Sequence, residues 1–216
     1  MEASGSGFFI SVEGIDGSGK STQARLLTGR LRQAGETVVA ARDPGTTALG
    51  ERIRAVLLEN SGGTPPDPFA EVALFLAARV QLLREVIDPT LEAGGLVVCD
   101  RYLDSTLVYQ GAGRGLDQGT LGELHRLVGA GRLPDLTLVL DLEVGAARLR
   151  SEPGRSRDRM EAEPTAYHER VRQGYLALAP RFPDRVVVLP ADLPPAELAE
   201  SCWRVTGEWL TARRTT

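Results

Sequence analysis

Lysine is almost absent from this chain. Of its 25 basic residues all but one are arginine, and the exception is Lys20. The arginine excess reads as a coding habit of the source genome, so the single lysine is the informative residue. Cysteine is also scarce: Cys99 and Cys202 stand alone, with no partner spacing. This excludes a disulfide framework and a cysteine-based zinc site, and both are expected as buried thiols in a reducing compartment. No apolar run approaches the length needed to span a bilayer. The opening MEASGSG is short, polar and acidic, unlike a signal peptide, so the expected location is the cytoplasm. Net positive charge is lacking too. A balance of −4 argues against a broad basic face for non-specific nucleic-acid binding, though not against a local anion pocket. The two histidines, His125 and His168, are expected to be bystanders.

What is present is a chain of 216 residues with 42 % hydrophobic content, enough for one domain with a full core. Short, nearly continuous apolar runs recur at 8–13, 37–42, 96–99, 136–141 and 186–189. Such runs suit strands covered on both faces, as in a parallel sheet. Helical patterns separate them at about 20–34, 47–59, 67–93, 120–129, 144–151, 164–182 and 194–213. In the last, Leu198, Cys202, Val205 and Trp209 share one face, which marks Trp203 and Trp209 as core or interface residues. The alternation predicts a single α/β domain over 1–216, a three-layer fold with a five-stranded parallel sheet flanked by helices. Ligands in such folds gather at the carboxyl ends of the strands.

Residues 14–21, Gly14-Ile15-Asp16-Gly17-Ser18-Gly19-Lys20-Ser21, match G-x-x-x-x-G-K-[ST] between an apolar strand and an amphipathic helix. Glycines let the backbone curl so that its N–H groups face inward, and the helix N-terminus adds its own. The expected ligand is a nucleoside triphosphate, held by residues 14–21 and Thr22, with the Ser21 hydroxyl on Mg²⁺. The narrow cradle explains the lysine: a compact ammonium fits among phosphates, where a planar guanidinium needs a fork-shaped partner.

Three further stretches carry chemistry. One is RDPGTTALGERIR at 42–54. In the second, FLAARVQ, Phe75 and Arg79 lie four apart on one helix face. The pair suits a nucleobase, but periodicity alone favours a core phenylalanine beside a surface arginine. The third, 99–115, places Asp100 and Arg101 at a strand's carboxyl end. There a carboxylate can hold Mg²⁺ through water and an arginine can grip phosphate. A helix cap followed by a surface ion is the plainer alternative.

Taken together, the P-loop, R-D-P-G, Phe-x-x-x-Arg, D-R-Y-x-x-S…Y-Q-G-A-G-R-G, P-D-L-T-x-x-L-D at 134–141 and D-R-x-E at 158–161 resemble the thymidylate kinases, P-loop nucleoside-monophosphate kinases. The resemblance covers nearly the whole chain. It implies ATP and dTMP as substrates, Mg²⁺, an acceptor site within about 42–115, a mobile lid at about 151–164, and a homodimer. It also implies roles. Phe75 stacks on thymine and Arg79 bonds its carbonyl. Arg54 and Arg101 bind the acceptor phosphate. Ser105, Thr106 and Gln110 line the base pocket, and Tyr109 packs under the sugar. Asp16 sits near the acceptor phosphate and Asp100 near the metal. There are departures: Asp43 stands where the family usually has Glu, a methylene short, and Gly45-Thr46-Thr47 replaces Gly-Gly-Thr. Ala78 and Leu82 replace a common Asp and His.

Phosphoryl transfer requires cationic donors over the migrating group. The P-loop carries no arginine at 15, 16 or 18, so Arg155, Arg157 and Arg159 are the expected source, although interleaved acids also suit a solvated charge run. No general base is required, since the acceptor phosphate is already ionised. The competing readings are a kinase for another nucleotide or nucleoside and a nucleotide-dependent switch. Arg54 and Arg101 favour an acceptor that bears phosphate, and no N-K-x-D-type segment supports a switch.

Overall fold

The computed structural model describes residues 7–60, 64–129, 131–150 and 158–214. Five parallel strands form one sheet in the order β2-β3-β1-β4-β5: β1 (Phe8–Glu13), β2 (Val38–Arg42), β3 (Leu96–Asp100), β4 (Leu136–Asp141) and β5 (Val186–Pro190). Side chains alternate across a strand, so β1 and β3 feed a core on each face. Ile10, Val12, Leu96 and Val98 join the larger cluster, with Leu27 and Leu31 of α1 (Lys20–Gln33), Tyr175 of α8 (Thr165–Arg181) and Cys202 of α9 (Pro195–Arg214). Phe9, Val97 and Cys99 point to the other face, toward Val72 and Leu82 of α3 (Pro68–Leu82) and Leu121 of α6 (Gln118–Val128). Both cysteines are buried thiols, as expected. Among the described residues no helix is long and apolar enough to cross a membrane.

The remaining helices are α2 (Ala48–Leu58), α4 (Asp88–Glu92), α5 (Leu103–Thr106) and α7 (Val144–Leu149). The long helix expected at 67–93 is present but interrupted: a π-helical turn, Leu83–Ile87, joins α3 to α4. Pro89 gives the reason. It has no N–H to donate, and its ring would clash with a normal helix's carbonyl four residues back, so the turn widens. A second π segment, Leu107–Gly113, continues α5 and was not expected from sequence. Ala78 and Leu82 are wholly buried core residues. The first half of the expected lid, residues 151–157 with Arg155 and Arg157, lies outside the described residues.

Candidate active site

The P-loop runs from the end of β1 into α1. Gly14 and Gly17 have φ of 140° and 83°, and a Cβ at either would meet a carbonyl oxygen, of Leu140 at 2.6 Å or of Ala147 at 2.5 Å. Helix α1 has no side-chain cap at Gly19, which leaves its terminal N–H groups for a ligand. These groups face a cavity of about 810 Å³ lined by Asp16 through Gln23 together with Arg54, Asp100, Arg101 and Arg150. Lys20 is buried and donates to the Ile15 carbonyl at 2.8 Å, with Asp16 3.8 Å away. Burial, and the nearby Arg101, push its ammonium down to about 8.

Ser21 Oγ donates to Asp100 Oδ2 at 2.5 Å. The other carboxylate oxygen, Oδ1, is buried without a protein partner. A hydroxyl beside an open carboxylate oxygen at the phosphate cradle fits a divalent cation bound mainly through phosphate and water. Among the described residues no group of three or more His, Cys, Asp or Glu could hold such an ion by itself.

Arg101 sits at the turn after β3 with φ 70°. Its Nη2 donates to Asp16 Oδ1 at 2.5 Å and to Tyr109 Oη at 3.0 Å, and the guanidinium lies over the Tyr109 ring. Burial alone would raise Asp16, but Arg101 and Lys20 hold its carboxyl well below the usual range.

A second, narrower cavity is lined by Asp43, Pro44, Phe75, Arg79, Ser105, Thr106, Tyr109, Gln110 and Met160, among others. The sequence-predicted acceptor residues therefore converge, but several polar groups do other work than expected. Arg79 is buried, not at the surface. Its Nε donates to Asp43 at 2.6 Å and its Nη2 to Thr106 at 2.8 Å, while Nη1 is buried without a partner. Asp43 thus reaches Arg79 despite its shorter side chain. The Thr106 hydroxyl holds Arg79, Ser105 Oγ donates to Glu13 at 2.7 Å, and Gln110 donates to Glu71 at 2.7 Å. Arg54 donates to the Pro44 carbonyl at 3.2 Å.

Arg159 does not line the phosphate cavity. It donates to Leu57 O at 2.9 Å and pairs with Glu71 at 2.6 Å, which anchors the end of the lid stretch on α2 and α3. Sequence reasoning missed Glu71, which also takes Arg114 at 2.8 Å, and missed Glu13, Tyr175 and the cavity-lining role of Asp158. Two of these left a signal: Glu13 as a charge closing the apolar run FFISVE, and Asp158 as the first residue of D-R-x-E. His125 and His168 are buried outside both cavities.

The family model described as Thymidylate kinase matches residues 12–202. A thymidylate kinase of Thermomicrobium roseum is 48% identical over 209 residues, covering 96% of this chain and 98% of the relative. That of Deinococcus radiodurans is 44% identical over 202 residues, with 94% and 97% covered. The crystal structure of thymidylate kinase from Ehrlichia chaffeensis superposes with a TM-score of 0.75 at 30% identity, covering 93% of this chain and 99% of that one. With the cradle, the acceptor cavity and these similarities in agreement, the chain belongs to the thymidylate kinase family.

Proposed function

We infer that this chain carries out its family's reaction, transfer of the γ-phosphoryl group of ATP to dTMP to give dTDP and ADP, at the place where its two cavities meet. The observation that carries this is shared lining: Asp16, Arg54, Arg101 and Asp158 border both the phosphate cavity and the acceptor cavity. Two arginines at a junction between a triphosphate cradle and a base-sized slot suit two phosphates brought face to face.

In this reading the P-loop amides and Lys20 hold the donor phosphates, and Arg54 and Arg101 orient the acceptor phosphate. Asp16 and Tyr109 fix Arg101 through its Nη2. Phe75 and Arg79 meet the base. Ser21 and Asp100 would hold Mg²⁺, whose chemistry is to neutralise and align the donor phosphates. Arg159 acts as an anchor, which leaves Arg155, Arg157 or the cavity-lining Arg150 to cover the migrating group. The same reading includes a cytoplasmic homodimer. Val56 on α2 and Phe69 on α3, 57% and 54% exposed, support a protein contact there.

A coupled assay of ADP release over a panel of monophosphates tests the reaction. ADP release that requires dTMP is expected. ATP hydrolysis of equal rate with no acceptor would instead make the chain a nucleotide-dependent switch.

A further inference from the structure

Glu13 is the last residue of β1, a charged group wholly buried directly before the P-loop. Neither cavity reaches it. Burial, and then Asp104, push its carboxyl up to about 7. A fold that keeps a carboxylate there against desolvation has a use for it, and its hydrogen bonds all lead to Arg101.

One oxygen, Oε1, accepts from the Tyr102 backbone N–H at 2.7 Å. That N–H immediately follows Arg101, whose φ of 70° is unfavourable for a side chain with a Cβ. The bond therefore pins the turn that aims Arg101. The other oxygen, Oε2, forms a triangle with two hydroxyls: Ser105 Oγ at 2.7 Å, Tyr175 Oη at 2.9 Å, and 2.8 Å between the hydroxyls. While Glu13 is ionised, only the two hydroxyl protons lie within this triangle. Both are drawn toward the carboxylate, directly or through the other hydroxyl. Lone pairs are then left facing Arg101 Nη1, which donates to Ser105 at 3.1 Å and to Tyr175 at 3.2 Å. Arginine only donates, so it can be held only by hydroxyls turned this way.

We propose that Glu13 is the positioning residue for Arg101, fixing its backbone turn through Tyr102 and its guanidinium through the hydroxyls of Ser105 and Tyr175. This rests on the reading of Arg101 as a ligand of the acceptor phosphate. It adds a residue that touches neither substrate yet sets how the phosphate is met.

Glu13→Gln is the decisive variant. The Tyr102 N–H keeps the amide oxygen on its own side, so the new NH₂ faces the two hydroxyls. The amide now donates where the carboxylate accepted, and the hydroxyl–hydroxyl edge takes only one of the two hydroxyl protons; the other turns toward Arg101, which cannot take it. Arg101 Nη1 thus loses hydroxyl acceptance and keeps the Gly14 carbonyl at 3.1 Å, while Nη2 stays on Asp16 and Tyr109, with almost no change in shape. Binding of dTMP and of thymidine, which has the base and sugar but no phosphate, is measured by calorimetry together with the melting temperature. The expected result is dTMP affinity lower by roughly tenfold to a hundredfold, with thymidine held within about twofold, as for loss of one charge-assisted bond. Equal losses for both ligands, or no loss for dTMP, would overturn the proposal, since a merely structural role cannot distinguish them. Should Glu13→Gln fail to fold, Tyr175→Phe decides. It removes one hydroxyl and should weaken dTMP selectively by a smaller factor, and an unselective or absent change would overturn the proposal equally. Failure of the unmodified protein to prefer dTMP over other monophosphates would count against the proposed reaction instead, and is read separately.

Discussion

Arg79 on α3 and Asp43 after β2 form a buried ion pair, Nε to Oδ2 at 2.6 Å, with side chains 2% and 0% exposed. A charge so placed is tolerated only with its partner. Asp43→Asn preserves volume and removes the charge, leaving the guanidinium buried and uncompensated. We expect a stability loss of about 3–5 kcal/mol, read by denaturant unfolding. A loss below about 1 kcal/mol, the scale of an exposed pair, would show that water reaches the site.

Glu71 receives Gln110, Arg114 and Arg159 on one buried carboxylate. Burial alone would raise its pKa, but the bonds from Arg114 and Gln110 and the charge of Arg114 bring it below the ordinary 4.5. A carboxylate lowered on folding contributes stability that is present above its unfolded pKa and lost as pH falls through the folded one. Acid unfolding should therefore steepen below about pH 4.5, and Glu71→Gln should remove that part of the pH dependence. An unchanged acid limb in the variant would place the acid sensitivity elsewhere.

The sheet was legible because its strands are continuous apolar runs, and the P-loop because its spacing is fixed by backbone geometry. The helical stretch 103–113 was not. It is a short α turn running into a π segment that ends in Gly-Ala-Gly, and it has no regular period to detect. Arg79 misled in a different way. Periodicity reports which face a residue occupies, not whether a carboxylate 36 positions earlier will neutralise it there. Glu13 and Tyr175 are 162 positions apart and meet only through the fold.

Thr46 occupies the left-handed region at φ 68°, a conformation that favours glycine. Its hydroxyl offsets the strain by accepting from Arg42 N at 2.7 Å and donating to Arg42 O at 3.2 Å. Thr46→Ala keeps the strain, worth roughly 1–2 kcal/mol, and loses the bonds. Thr46→Gly loses the same bonds but releases the strain, at about 0.4–1 kcal/mol of added freedom in the unfolded chain. Glycine should thus be at least as stable as alanine here in thermal melts. An alanine variant clearly more stable than the glycine one would contradict the strain argument.

Lys20 is the sole lysine, and its ammonium is buried and held down to about 8. Donor phosphates need the charged form, so KM for ATP should climb as pH passes about 8. Lys20→Arg stays charged and should lack that alkaline step. It should nonetheless lose about 10² to 10³ in kcat, the usual effect of one misplaced charged contact in a transition state. Activity within a factor of about three of the original would show that the cradle accepts a guanidinium, against the shape argument.

Base selectivity follows from the one Arg79 nitrogen that the protein leaves unpartnered. Nη1 is buried, and Arg79 lines the acceptor cavity with Phe75. Asp43 and Thr106 hold the other two nitrogens, so the guanidinium cannot swing away to suit a different base. Thymine presents a carbonyl where cytosine presents an amino group, and arginine can donate only to the first. With cytosine both donors would be left unpaired in a desolvated slot. Mismatches of that kind lower kcat/KM by about 10⁴ or more, whereas a missing methyl lowers it only roughly 10–200-fold. The expected order is dTMP, then dUMP, with dCMP nearly inert, measured as kcat/KM in the coupled assay. Use of dCMP or dAMP within about tenfold of dTMP would mean that Arg79 does not read the base, because one methylene-sized difference already suffices for that margin.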